Sequence, residues 1–267
     1  MSALLSEKYQ QWEQECDARF RRLKSNEEEL NRIFIRRYGL QQILSPEEDE
    51  TAVTVRRADL QREIRSLISY AIGCLFGRYS VDVPGLCFAG GQWNAALYRT
   101  IQPEPTNILP LPDLFENNLT DSIIRFVRLV YGEDTLEENL LFIAGALGGT
   151  GAPREILQEY LFRDFFADHC RIYQKRPIYW MFSSGRRNSF KALVYLHRWN
   201  GQTTETIRKD YIQPLQAFCR RNHDDKMLEE LEQYEEKLYQ LRNILLHLDD
   251  GVLKNYEKLS SVLEKIR

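Results

Sequence analysis

The chain has 267 residues, 43% of them hydrophobic, 12% aromatic and 28% charged, and carries a formal net charge of −3. That content supports a packed core and excludes intrinsic disorder, and five cysteines in this length exclude a disulfide scaffold. No apolar run reaches the roughly 20 residues of a membrane span, so no membrane partner is expected.

The N-terminus, Met1-Ser2-Ala3-Leu4-Leu5 before Ser6-Glu7-Lys8, lacks the basic start and apolar stretch of a secretion signal. A cytoplasmic protein is the expectation. Leu5, Tyr9, Trp12, Cys16, Phe20 and Leu23 recur at spacings of four and three, which predicts an amphipathic helix. Ser25 followed by three glutamates reads as a fresh N-cap, predicting a second helix through Tyr38 that stops at Gly39. An acidic linker follows over 45–50, then a short predicted strand over 51–55 and a strong helix over 58–76. From 77 to 119 the chain is rich in Gly, Pro and Asn, too long for a plain connector, so a functional loop or a packed excursion is expected.

Helices are predicted over 120–131 and 136–147, and a third from Pro153 to about Cys170. The glycines of 145–151 follow a helix rather than a strand and precede no Lys-Ser/Thr pair, so a helix end explains them better than a phosphate loop. Residues 178–182 and 190–196, aromatic and branched, flank the turn-forming stretch 183–189 and predict a β-hairpin with a basic tip. Phe190, Ala192, Val194 and Leu196 share one face by period two. Helix resumes over 203–219. Met227, Leu231, Tyr234, Leu238, Leu241, Leu245 and Leu248 then form a heptad seam, and the segment after Asp249-Asp250-Gly251 continues the rhythm as a second arm. The reading is α+β, predominantly helical. It has a helical rod over 1–40, a body over 41–222 holding the irregular loop and a basic hairpin (176–198), and a heptad-patterned helical hairpin over 223–267.

The chemistry of the chain is uneven. Cys16, Cys74, Cys87, Cys170 and Cys219 are scattered without a CxxC pair, and no structural metal is expected. Neither GxSxG nor HExxH occurs. Between Arg171 and Arg198 stand seven basic residues and no acidic one, leaving −10 for the rest of the chain. Tyr173, Tyr179, Trp180, Phe182, Phe190 and Tyr195 are interleaved with them. Such a ribbon suits a phosphate backbone, so a nucleic acid, duplex DNA, is one expected partner, with Arg186 and Arg187 at the tip as best candidates and Lys175, Arg176, Lys191 and Arg198 behind them; the alternative reading is aromatics in the core and arginines as a solvated rim. Gln174 and Asn188 are placed to read base edges. Tyr179 and Trp180 are expected in the core rather than as stacking groups. Net charge therefore describes this chain poorly as a binding partner.

Several blocks carry a family resemblance. They are 26–35 with Tyr38-Gly39-Leu40-Gln41, 55–59 leading to 68–80, Asp168-His169-Cys170 with 173–180 and 190–198, and Leu248-Asp249-Asp250-Gly251-Val252 with Asn255-Tyr256. In this order and at these gaps the chain resembles the C-terminal part of the PglX family. These are large adenine-specific DNA methyltransferases of BREX phage-defence systems, related to single-chain restriction-modification enzymes. The family pattern has Asp-Ser-Gly where this chain has Ser183-Ser184-Gly185.

The resemblance implies a parent enzyme that uses S-adenosylmethionine. This chain has no Pro-Pro pair for an Asn/Asp-Pro-Pro-aromatic motif and no convincing cofactor loop. No cofactor and no catalytic residue are expected in it. The expected role is a non-catalytic module helping DNA engagement and spacing, with the catalytic domain and other defence subunits as partners. The alternative is a protein–protein assembly module built on the heptad helices, without DNA contact.

Overall fold

The computed structural model describes residues 3–174, 176–185 and 187–246, with side chains to Gln240 in the last helix. Helix α1 (Leu5–Arg37) runs 33 residues without interruption. The restart expected at Ser25 does not occur. No Gly or Pro breaks the stretch, and ion pairs from Glu28 to Lys24 and Arg32, one turn apart on either side, tie it together. Asn139 fastens the start of the rod, accepting the Leu5 amide at 2.8 Å and donating to the Ala3 carbonyl at 3.0 Å. The chain then returns along α1, where Arg57 pairs with Asp17 at 2.7 Å and covers the Phe20 ring at 4.2 Å. The strand expected over 51–55 is a turn instead. Asp49 accepts from both the amide and the hydroxyl of Thr51, local bonds that compete with a ladder.

Helix α2 (Leu60–Leu75) starts where the Asp59 carboxylate accepts the Arg62 amide at 2.7 Å, and it buries Ile64, Ile68, Ala71 and Ile72. Around it pack α3 (Leu119–Tyr131) and α4 (Leu136–Leu147), both close to their expected bounds. The single helix expected from Pro153 is two, α5 (Pro153–Arg163) and α6 (Phe165–Ile172). The break at Asp164 lets Phe165 and Phe166 both turn into the core.

The segment between α2 and α3 is a packed excursion. At its root Gly77 has φ +77°, and a Cβ there would lie 2.4 Å from the Trp93 ring, so only glycine fits. The excursion ends in strand β1 (Ile108–Pro110), which pairs with β3 (Lys191–Tyr195), itself the partner of β2 (Tyr179–Ser183). The sheet is antiparallel with order β1-β3-β2, and Trp180 faces Val194 in the expected hairpin. Three residues ending in proline gave no periodic signal for β1. Because β3 is central, Leu193 and Tyr195 are buried as fully as Ala192 and Val194, so both of its faces meet core. Tyr179 and Trp180 lie in that core, as expected.

Beyond the sheet, α7 (Thr203–Thr206) passes through a π-helical turn (Ile207–Ile212) into α8 (Gln213–Asn222), and α9 (Asp225–Leu246) follows. The seam residues Leu231, Tyr234 and Leu238 are buried against α7, α8 and the π turn. Arg208 locks this packing with bonds to Glu205 at 2.8 Å and Glu235 at 2.9 Å. The Leu241 and Leu245 side chains, Leu248 and the proposed second arm lie outside the described residues. The architecture is α+β and mainly helical. Among the described residues no helix is long and apolar enough to cross a membrane.

Candidate nucleic-acid interface

The hairpin is positioned from two sides. On the entry side, His169 of α6 accepts the backbone amides of Ile178 and Tyr179 through Nε2, each at 3.1 Å. Those two bonds set where β2 begins. The ring stacks against Tyr179 at 4.7 Å and meets the tilted Tyr173 ring at 4.6 Å. Burial, helped by the Arg78 charge, pulls the imidazole pKa down to about 3, so it stays neutral and its proton sits on Nδ1. Asp168 beside it accepts from Arg65 at 2.9 Å, from the Tyr160 hydroxyl at 3.2 Å and from Arg171. In the sequence His169 stands out only within the Asp168-His169-Cys170 block of the family resemblance. The spacing from His169 to the strand start carried no signal for this bracing role.

On the far side, α9 holds the turn. The Glu230 carboxylate accepts the Ser184 hydroxyl at 2.6 Å and the amides of Arg187 and Ser189, each at 3.1 Å. Ser184 Oγ also accepts the Phe190 amide at 2.9 Å, closing the loop. Gly185 takes φ +136°, a backbone conformation that favours glycine, while a Cβ there would meet the Glu230 carboxylate only at ordinary van der Waals distance. An acid therefore serves this turn, but from α9 rather than from the strand position where the family pattern has aspartate. Burial pushes the Glu230 carboxyl up, and the Ser184, Ser189 and Arg187 donors outweigh it, so its pKa lies below the ordinary value.

That carboxylate contributes stability above the unfolded-state carboxyl pKa, near 4.3, and the contribution is lost as pH falls through the lower folded value. Glu230→Gln is expected to cost about 1–2 kcal/mol at pH 7 and less below pH 4. Urea titration at both pH values checks this, together with faster amide exchange at 187–189 in the variant.

The candidate residues divide. Arg176 leads into β2 and is exposed, and Arg187 and Asn188 stand exposed at the tip. Asn188 occupies the left-handed region at φ +53°, its amide donating to the Gly185 carbonyl at 3.1 Å. Gln174 is exposed before the strand, also left-handed at φ +51°. Lys175 and Arg186 lie outside the described residues. Lys191 reaches back, its ammonium donating to the Phe162 carbonyl at 2.8 Å and lying 5.6 Å from the Phe162 ring. Arg198 is turned inward. Its guanidinium donates to the carbonyls of Glu104 at 2.9 Å, Phe76 at 3.2 Å and Pro105 at 3.4 Å and lies 4.7 Å from the Trp93 ring. Phe182, Phe190 and Tyr195 are buried with Tyr179 and Trp180, leaving the strand aromatics no face to offer a base. Between α5, α6 and the hairpin lies a hollow of about 410 Å³, floored by Phe162, Phe166 and Met181 and rimmed by Asn188 and Lys191. Chemically, the arrangement offers a hydrogen-bonded hairpin tip with an exposed cation, Arg187, and an amide, Asn188, beside an apolar hollow.

Among the described residues, no three His, Cys, Asp or Glu side chains gather closely enough to hold a metal ion.

No family model matches the chain. It is 46% identical over 283 residues to the adenine-specific methyltransferase PglX of Lacticaseibacillus casei (strain Zhang), an alignment covering 94% of the chain and 24% of that protein. It is 37% identical over 281 residues to the adenine-specific methyltransferase BrxX of Escherichia coli O9:H4 (strain HS), covering 89% of the chain and 23% of that protein. The chain thus spans about a quarter of the length of the curated relatives it matches.

Proposed function

Because this chain is a homologue of one segment of the PglX- and BrxX-type adenine-specific methyltransferases of BREX defence, we propose that it is their C-terminal, non-catalytic module and engages duplex DNA. The observation that carries this reading is an exposed arginine at each end of the hairpin, Arg176 just before the strand start that His169 braces and Arg187 in the turn that Glu230 holds. A ribbon fixed at both ends presents its cations without a large ordering cost, which favours phosphate contact. Arg176 and Arg187 make the contacts, with Lys175 and Arg186 on the same stretch. Asn188 is the base-edge reader. Lys191 and Arg198 hold the frame. S-adenosylmethionine and the chemistry of transfer belong to the parent enzyme, and the rod α1 spaces this surface from the catalytic domain.

A gel-shift series across salt concentrations tests the proposal. Arg176→Gln/Arg187→Gln is expected to weaken duplex binding and to lower the slope of log affinity against log salt by about two. Unchanged affinity and slope in a folded double variant overturn it.

One observation favours a second, protein-binding role. Leu30, Ile33, Phe34 and Tyr38 near the end of α1, with Ile43 and Leu44 after it, are each more than half exposed. Clustered apolar exposure of this kind suits contact with another domain. It replaces the heptad seam as the surface for such a role, since Leu231, Tyr234 and Leu238 are consumed by the body.

A further inference from the structure

A second basic feature lies apart from the hairpin tip, in a cleft of about 410 Å³ between the start of α2 and the end of α6. Arg56, Arg62, Arg65 and Arg171 line it, with Asp168 and His169 along its wall and Asp59 at the α2 cap. The charges do not cancel. Arg62 is matched by Glu63 at 2.7 Å, and Asp59 is engaged by the helix amide. A single carboxylate, Asp168, serves both Arg65 and Arg171. Arg56 is exposed at the cleft and, among the described residues, forms no ion pair.

Two buried donors in this lining have no acceptor. Arg65 gives Nη1 to Asp168, and its Nε, also buried, donates to nothing. His169 is only 2% exposed. Its Nε2 accepts two backbone amides, which leaves the proton on Nδ1, and Nδ1 has no partner. Buried polar groups are nearly always satisfied, and both nitrogens lie beneath the surface of residues that line the cleft, so this wall holds hydrogen-bonding capacity that the chain does not itself use. A partner for this wall must accept hydrogen bonds, tolerate a cationic lining and offer several oxygens at once. Cations are disfavoured by the surplus of guanidinium, and a neutral carbonyl leaves Arg56 unanswered. A tetrahedral oxyanion meets all three demands, since arginine forks match its geometry.

We propose that the cleft between α2 and α6 binds a phosphate group, held by the guanidinium groups that line it, Arg65 within and Arg56 at the mouth with the remaining donor of Arg62, beside the His169 imidazole. This stands on its own geometry and does not depend on the hairpin tip. The phosphate belongs either to a nucleic-acid backbone or to a small phosphomonoester, and the same experiment separates them.

The test uses the full chain with isotopically labelled histidine, titrated with inorganic phosphate against chloride at constant ionic strength and pH 7. The expected result is a saturable shift of the His169 imidazole signals. Arg56→Gln/Arg62→Gln, whose changes lie at the surface, should keep the fold and weaken phosphate binding by about tenfold or more, the loss of charge-assisted bonds. Arg176→Gln/Arg187→Gln should leave phosphate binding unchanged, so failure here and failure of the hairpin proposal are told apart. Displacement of the bound phosphate by a short duplex assigns the site to backbone phosphodiester; displacement by a nucleoside monophosphate alone assigns it to a small ligand. No saturable shift, or an identical shift in the Arg56→Gln/Arg62→Gln variant, overturns the proposal.

Discussion

Arg198→Met is expected to lower the stability of the chain by about 3 kcal/mol while leaving the salt slope of DNA binding unchanged. The sequence places Arg198 at the end of the basic ribbon, among the residues suited to phosphate. In the fold its guanidinium ties the exit of β3 to the excursion between α2 and β1 by three carbonyl bonds, and the Trp93 ring lies over it. One of those carbonyls, Phe76, caps the C-terminal end of α2, where the helix dipole favours a cation. Burial pulls the guanidinium pKa down, and the Tyr98 and Glu104 environment partly restores it. Methionine fills similar space but leaves those carbonyls without donors. Arg198→Lys, which keeps charge and loses the fork, should recover about half the loss. Urea denaturation beside a shift assay decides the matter. A stable Arg198→Met variant that binds DNA more weakly, with a slope reduced by about one, would return Arg198 to the interface.

Asp168→Asn is expected to cost about 2–4 kcal/mol, the second large effect. The carboxylate is 7% exposed and joins three donors from α2, α5 and α6. Neutralising it strands the Arg65 charge, whose side chain is 28% exposed, and weakens the bond from the Tyr160 hydroxyl. Arg171 adds little to the sum because its side chain is 72% exposed and water can replace the carboxylate. A double-mutant cycle separates the parts. Arg65→Met/Asp168→Asn should cost clearly less than the two single changes added together, because the first removes the charge the second strands. Strict additivity would show that Arg65 and Asp168 act independently.

The helices and the hairpin were legible because each has its own periodicity. The pattern of α2 comes from apolar residues recurring at spacings of three and four, and the β2–β3 pair is framed by turn-forming residues. What the pattern could not carry is set by partners distant in the chain. Ser25 has the chemistry of a cap, yet the helix around it holds through ion pairs to Lys24, Glu28 and Arg32. Residues 51–55 have strand propensity but meet Asp49 before they meet a strand. Strand β1 exists because β3 has a free edge, 80 residues and more away. The site divides for the same reason. Clustering of positive charge was visible, but it could not distinguish Arg176 and Arg187, which face water, from Arg198, which faces carbonyls. Glu230 was unreadable as a turn ligand, since nothing near it in sequence suggests the loop it completes.

The bond from Glu230 to the turn has a consequence for which lengths of chain can vary. A helix advances about 1.5 Å and turns about 100° per residue. One residue inserted into or deleted from the short link between Asn222 and Asp225, or from α9 before Glu230, would swing the carboxylate off the loop while also rotating Leu231 and Tyr234 out of the core. The acidic stretch over 45–50 is irregular and touches α1 through Asn31 and Glu28, so a change of length there costs surface bonds and rotates no helix out of the core. Relatives should therefore differ in length there and keep strict residue spacing from Ser184 to Glu230, even where the residues themselves have changed.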